Sequence, residues 1–367
     1  MGEKIHFRKL PPAFMMQFVN EFRHYLYRLR MLLNPPGITL FEMIQDFWVA
    51  KALGVATELN IAEILFNGDQ SISELAAQTQ THENSLYRLL RVLASRGIFK
   101  EKKGKIFSNT YFSKALSDGK GSMKYMIQSH ITSNQLELFG ELFYCIKTGE
   151  NAFKKVNSQN TFDYLSAHPE EAEIFNRGMS NASELMTEAI LSAYSFKRFK
   201  KIADIGGGEG HLLAAIIFKN PKLTGILFDL PNVVESSAVN FNRLDVADRI
   251  EIAKGSFFEG VPAGADAYLM KNILHDWNDE DCLCILEKIY QSMPANGTLL
   301  LIEAVIGEDN KPSFGKLMDL LMLVGSTDGR ERTRNEYKNL LQKSGFRFRR
   351  VIATVAPFSI IEAVKAD

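Results

Sequence analysis

One histidine and two glutamates in the second half of the chain carry the strongest chemical signal. His275 follows the apolar run Ala265–Met270. That places it just past a β-strand, on the edge where open α/β sheets bind ligands. A second apolar run, Thr298–Ile302, leads directly into Glu303, and Glu331 lies in the polar turn Asp328-Gly329-Arg330-Glu331-Arg332-Thr333. A carboxylate beside one imidazole nitrogen fixes the tautomer and stabilises the imidazolium formed when the other nitrogen takes a proton. Either glutamate could fill that role. A neutral histidine so held is a sound general base for a hydroxyl with a pKa of about 10, the value of a phenol.

Upstream, Ile202-Ala203-Asp204-Ile205-Gly206-Gly207-Gly208-Glu209-Gly210-His211-Leu212-Leu213 runs from a strand through glycines into a helix. Glycines there let backbone approach a ligand closely at the carboxyl edge of a sheet. A dinucleotide-binding turn aligned on Gly206 and Gly208 wants a third small residue where this chain has His211, and no phosphate-loop lysine follows. The spacing acid-x-Gly-Gly-Gly-x-Gly, from Asp204 to Gly210, instead resembles the first motif of class I methyltransferases. Further on, Ile226-Leu227-Phe228 ends in Asp229, placed to accept hydrogen bonds from both ribose hydroxyls of a nucleoside. Capping of the next helix is the competing role for Asp229, and its placement relative to the glycines favours the nucleoside.

These residues need a scaffold. From Arg198 onward, the runs Lys201–Ile205, Thr224–Phe228, Ile250–Ala253, Ala265–Met270 and Thr298–Ile302 alternate with helical stretches, predicting a parallel sheet covered on both faces. Phe346–Thr354 and Phe358–Val364 predict a terminal antiparallel pair. Earlier, helices over Ser71–Ala77 and Asn84–Ser95, then short strands at Ile98–Lys100 and Ile106–Ser108 around a Lys-Lys-Gly-Lys turn, predict a winged helix. Residues 121–196 read as helices whose stripes (Phe139, Leu142, Phe143, Ile146; Phe175, Met179) are expected to pack in a core. At the N-terminus, Phe14, Phe18, Phe22, Tyr25, Leu29 and Leu32 form an amphipathic stripe closed by Pro35-Pro36-Gly37. The expected organisation is a helical extension (1–36), a winged-helix domain (37–120), a helical connection (121–196) and a ligand-binding α/β domain (197–367).

The 367 residues carry 43 basic and 43 acidic side chains, which gives no pull towards nucleic acid or an anionic membrane. A small, near-neutral partner fits better. Three scattered cysteines, Cys145, Cys282 and Cys284, make neither a disulfide framework nor a zinc site and suggest a reducing, cytosolic setting. Charges interrupt every apolar run near the N-terminus, unlike a signal peptide. Asp276, Asp279, Glu280 and Asp281 look like oxygen ligands, but acids starting a helix complement its dipole, and no metal is expected.

At these motifs the chain resembles the plant-type small-molecule O-methyltransferases, a family of caffeic acid, flavonoid and hydroxyindole enzymes with many bacterial relatives. The resemblance rests on Asp204–Gly210, Phe228-Asp229-Leu230-Pro231, His275-Asp276-Trp277 and Gly329–Thr333. It implies a Rossmann-like class I methyltransferase domain with a mostly parallel seven-stranded sheet, and a mainly helical winged-helix domain that supports a homodimer. The implied reaction moves a methyl group from S-adenosyl-L-methionine to a hydroxyl of a small aromatic acceptor, leaving S-adenosyl-L-homocysteine. His275 would be the base, flanked by Glu303 and Glu331. Asp204, Gly206, Gly208, Asp229, Leu230, Ser256, Phe257 and Lys271 would hold the cofactor. Met179, Asp276, Met322 and Ser326 would meet the acceptor, the flexible thioether of Met179 packing on its ring.

One departure stands out. After Gly255, relatives usually carry Asp and an apolar residue, where this chain has Ser256-Phe257. A neutral hydroxyl in place of a carboxylate weakens the contact to the adenine amino group by about 1 kcal/mol. Two rival functions share the fold. A non-methylating relative (decarboxylase, hydroxylase or pericyclase) is disfavoured because His275 and both glutamates are present, and a DNA-binding regulator has only Arg88, Arg91 and Arg96 in its favour. Duplex DNA is therefore expected to show no binding that falls steeply with salt; a steep salt dependence in a fluorescence-anisotropy titration would revive the regulator.

Overall fold

The double proline that ends the first amphipathic segment also begins the next helix. In the structure, a computed structural model that describes residues 13–119, 121–235, 237–326 and 328–366, helix α1 spans Ala13–Leu33 and α2 spans Pro36–Glu58. Pro36 takes the first helical position, where its missing N–H is no loss. Gly37 consequently lies inside α2 and not in the expected turn. The start of the expected extension, residues 1–12, lies outside the described residues, as does the side chain of Phe14. Phe18, Phe22, Tyr25, Leu29 and Leu32 on α1 are exposed in the single chain, the last by 79%.

The winged helix forms as expected. Helix α3 (Ile72–Thr79) opens with a capping box in which Ser71 and Glu74 satisfy each other's backbone N–H, and left-handed Gln80 ends it. Helix α4 follows over Glu83–Ser95. Strands β1 (Gln70–Ser71), β2 (Phe99–Lys102) and β3 (Ile106–Asn109) make an antiparallel sheet in the order β1-β3-β2. Leu75, Leu86, Leu90, Leu93, Phe99 and Phe107 fill its core.

Short helices and the long α5 (Pro169–Ala193) follow. Here the expected stripe is wrong in part, since Phe139, Phe143 (73%) and Ile146 are exposed. The buried stripe is Leu138, Leu142 and Cys145, at four- and three-residue spacing, packed with Phe153 and Val324.

Strands β4 (Lys201–Ile205), β5 (Thr224–Asp229), β6 (Ile250–Lys254), β7 (Ala267–Lys271) and β8 (Thr298–Glu303) are parallel to one another where they pair. A two-stranded parallel sheet joins β9 (Val305–Ile306) to β10 (Arg332–Thr333). Strands β11 (Phe346–Ala353) and β12 (Ser359–Lys365) add the antiparallel edge, giving the seven-stranded order β11-β12-β8-β7-β4-β5-β6. Strand order reverses at β4, whose neighbours are β5 on one side and β7 on the other. The carboxyl ends of those three strands flank the crevice where such sheets take ligands.

Alternation along the buried strands covers both faces. Ile202, Leu227, Leu269, Leu300 and Ile302 share one core cluster with residues of α6 (His211–Lys219), while Tyr268, Met270, Leu299 and Leu301 share another with residues of α7 (Asp279–Ser292) and α9 (Arg334–Lys343). Helix α8 (Phe314–Gly325) precedes the turn that carries Glu331. By contacts the chain divides into two compact units. One joins the chain up to His24 with Leu138–Tyr164 and Ser183–Asp367, and the other comprises Tyr25–Glu137 and Leu165–Ala182. Among the described residues no helix is long and apolar enough to cross a membrane.

Candidate active site

The glycine turn leaves β4 in a conformation only glycine adopts easily. Gly206, Gly208 and Gly210 have φ of +67°, +60° and +74°. A side chain on Gly206 would meet Ile273 Cδ1 at 2.5 Å, and one on Gly207 would meet Leu227 Cδ1 at 2.5 Å and Asp204 Cγ at 2.8 Å. At Gly208, by contrast, the space a Cβ would enter is open. The Gly208 N–H donates to Asp229 Oδ2 (2.8 Å), and the Leu230 N–H donates to Asp229 Oδ1 (2.7 Å). Bare backbone and an oriented carboxylate thus stand together at the strand-order switch, a cradle suited to the sugar and chain of a nucleoside.

The second half of the site is a short turn after β7. Leu274–Asp276 form a single 3₁₀ turn. Glu303 Oε1, at the end of β8, accepts the N–H groups of Ile273 (3.1 Å) and Leu274 (3.0 Å). His275, buried, donates through Nδ1 to Glu331 Oε1 (2.9 Å), and its Nε2 lies 3.5 Å from Asp276 Oδ1. The two glutamates thereby divide the task that the sequence left open between them: Glu331 takes the imidazole, and Glu303 takes the backbone that carries it. Backbone Glu331 N–H is itself held by Asp319 Oδ1 (2.9 Å).

Electrostatics follows from burying four acids and two bases together. Burial alone would lower the His275 pKa, but the charge of Asp276, the hydrogen bond to Glu331 and the charges of Glu303 and Glu331 outweigh it and raise the value to about 10. Burial pushes Glu303 up to about 7 against the opposing pull of His275, and it raises Asp276 as well. Burial also raises Asp204 to about 7, opposed by Lys271, whose own pKa burial lowers. The imidazole expected to be neutral is therefore cationic at neutral pH in the ligand-free protein. One donor atom each of His275, Glu303 and Glu331 lie within 4.8 Å of one another, a spacing a metal ion could bridge. Nδ1 is engaged by Glu331, so the arrangement reads as a proton-sharing cluster.

Residues 139–347 match the family profile described as the O-methyltransferase domain, and residues 41–118 match the O-methyltransferase dimerisation domain. The chain belongs to the O-methyltransferase family. It is 38% identical to the phenazine O-methyltransferase PhzM of Lysobacter antibioticus over 330 residues, 90% of this chain and 96% of that one. The crystal structure of LaPhzM superposes with a TM-score of 0.86 at 38% identity, covering 90% of this chain and all of that chain. A third relative is NcsB1 from neocarzinostatin biosynthesis, solved with S-adenosylmethionine and 2-hydroxy-5-methyl naphthoic acid. It superposes at 0.73 with 29% identity, over 86% of this chain and 95% of its own.

The remaining predicted residues of this methyltransferase divide by location. Lys271 ends β7, within reach of the charges of Asp204 and Glu303. Ser256 Oγ accepts the Phe258 N–H at 3.3 Å, which leaves its own proton and a lone pair for a ligand. The Phe257 ring stands 3.7 Å from where a Gly206 side chain would begin. Leu230 is exposed beside Asp229. Met322 is half-buried on α8, and Ser326 caps that helix. The Ser326 hydroxyl donates to the Asp276 carbonyl (3.3 Å) and accepts the Gly329 N–H (3.1 Å), a loop-fixing use that the sequence did not suggest. Met179 lies on α5 in the other unit, 36% exposed. The acids expected to serve the helix dipole do more, because Asp279 pairs with Arg332 and Arg330.

Sequence reasoning passed over Arg332, wholly buried, and Tyr337, whose buried hydroxyl has no partner among the described residues. A basic residue inside the Glu331 motif was the one available signal for the former.

The raised carboxyl pKa values make a stability prediction. Asp204 titrates near 7 in the fold against 3.8 ordinarily, so between those values the folded protein binds more protons than the unfolded chain. Stability contributed by this group is present at low pH and declines as pH rises through that window. Urea denaturation at about pH 5 and about pH 7 should show a smaller decline in Asp204→Asn than in wild type. Equal declines would mean that Asp204 is not held protonated.

Proposed function

We propose that this protein is an S-adenosylmethionine-dependent O-methyltransferase that methylates a hydroxyl on a small aromatic acceptor, with His275 as general base. The observation that carries the proposal is the buried His275–Glu331 hydrogen bond, one strand away from the glycine turn and two from Asp229. S-adenosylmethionine supplies a methyl group on a cationic sulfonium, whose charge opposes that of the imidazolium and draws its pKa down. Gly206–Gly208 and Asp229 hold the nucleoside half, with Leu230, Ser256, Phe257 and Lys271 around it and Asp204 behind the turn. Glu331 keeps Nδ1 protonated, which leaves Nε2 to take the acceptor's proton. Without the donor the base lies at about 10, the value of a phenol; the sulfonium lowers it from there and so frees Nε2 to accept the acceptor's proton. Holding the hydroxyl in line with the methyl carbon supplies much of the remaining acceleration, about 7–11 kcal/mol in well-aligned systems.

The acceptor class follows the relatives, which act on phenazines and hold a naphthoic acid. A flat hydroxylated ring system of secondary metabolism fits that company. Within the catalytic unit we assign acceptor contacts to Asp276, Met322 and Ser326, and the role of Met179 rests on the sequence resemblance. The match to a dimerisation domain supports a homodimer, and three free cysteines suit the cytosol. We retain the division into extension, winged helix, helical connection and catalytic domain as the functional organisation.

Two measurements test this reading. With an identified acceptor, kcat/KM should rise with pH between about 7 and about 9, because the base must lose a proton first. His275→Gln should remove that rise and lower kcat by about 10²–10⁴-fold, with the affinity for S-adenosylhomocysteine changed no more than about threefold. A flat profile in wild type, or full turnover in the variant, would exclude His275 as base. In calorimetry, Asp229→Ala should abolish S-adenosylhomocysteine binding; unchanged affinity would move the nucleoside site elsewhere.

A further inference from the structure

Arg332 is completely buried, and all but one of its hydrogen bonds converge on the turn that carries His275 and the helix behind it. Nη1 donates to the Leu274 carbonyl (2.7 Å) and, at 3.4 Å, to that of Arg330; Nη2 donates to the Trp277 carbonyl (2.8 Å). Nε and Nη2 both reach Asp279 Oδ1, at 3.0 and 2.8 Å, at the start of α7. The two turn carbonyls lie on either side of His275-Asp276. A turn this short satisfies few of its own groups, so its N–H side hangs on Glu303 and its C=O side on Arg332. The same strand segment also delivers Glu331 to the imidazole, one residue before Arg332. At Gly329 the segment comes so close that an added Cβ would stand 2.5 Å from the His275 carbonyl oxygen.

We infer that Arg332 is a positioning residue for His275: its planar guanidinium locks the Leu274–Trp277 turn in register with Glu331, so that the imidazole keeps its Nδ1 contact and presents Nε2. The inference rests on the proposed base role of His275 for its catalytic meaning, but the geometry it describes can be read without turnover. Arginine is required because a planar fork can reach both carbonyls and the carboxylate at once, whereas an ammonium on a flexible stem acts as a single point. Asp279 neutralises the buried guanidinium, so the charge is compensated where it lies.

The test is a ¹⁵N-histidine NMR titration of the full-length protein, with the His275 signals assigned by their loss in His275→Gln. In wild type His275 should show a protonated Nδ1 and a titration well above the ordinary histidine range. Arg332→Lys should shift that titration down by about one unit or more, since the Glu331 contact loosens. Its S-adenosylhomocysteine affinity should stay within about threefold of wild type, as Asp229 and the glycine turn are untouched. An unchanged His275 titration in a folded Arg332→Lys protein overturns the inference. So does loss of S-adenosylhomocysteine binding in that variant, because the effect is then on the fold at large. Should Arg332→Lys not fold, Asp279→Asn loosens the guanidinium from its other side and should move the titration in the same direction by less; no movement there overturns the inference equally. Failure of His275 as base would appear in turnover alone and leave these signals as described.

Discussion

A single 3₁₀ turn buried at the end of a strand cannot satisfy all of its own backbone, and the geometry of the proposed active site is built around that deficit. Around Leu274–Asp276 the Ile273 and Leu274 amides go to Glu303, the Leu274 and Trp277 carbonyls to Arg332, and the Asp276 carbonyl to the Ser326 hydroxyl. Leaving any of these groups unpaired would cost about 1–3 kcal/mol each. The two charged residues that answer this demand come from the end of β8 and from β10, so the parallel pairing of β9 with β10 becomes part of the active site. Satisfaction of the turn and placement of the imidazole are one constraint.

The same burial sets the chemistry. Removing Glu303 and Asp276 from water favours their neutral forms, with Glu303 pushed up to about 7, while the carboxylates around the imidazole outweigh its own burial and raise it to about 10. Glu303 has little freedom to act as a base, since its Oε1 already holds two backbone amides. Glu331 is aimed at Nδ1 and fixes which nitrogen is presented. A cluster poised in this way responds to incoming positive charge, which a sulfonium provides. With His275 in the proposed role of base, binding of the methyl donor and readiness of that base would be electrostatically linked.

Much of this was legible in the sequence, because strands buried on both faces read as apolar runs and glycines with positive φ cannot be replaced cheaply. Asp229 and Glu303 were placed at strand ends by the runs that precede them, and the switch in strand order brought those ends together. Elsewhere local pattern was not enough. Phe139, Phe143 and Ile146 have helical spacing yet face outward, since the spacing does not say which of two stripes meets the core. Pro35-Pro36-Gly37 read as a stop, although Pro36 is equally good as a start. Arg332 was invisible as a functional residue because three of its four partners are carbonyls, which every residue has, and its burial depends on strands distant in sequence. Nor could the sequence show that the imidazole would be charged, a property of three acids that only the fold assembles.

The most direct measurement of the central claim is methyl transfer itself. The purified protein would be supplied with S-adenosylmethionine labelled on its methyl group and a panel of hydroxylated phenazines and naphthoic acids, each paired with its hydroxyl-blocked analogue. We expect label to enter at least one hydroxylated member, at oxygen, and none of the blocked analogues. Label absent from the whole panel, in a folded protein that binds S-adenosylhomocysteine, or label appearing in the blocked analogues, would contradict the account.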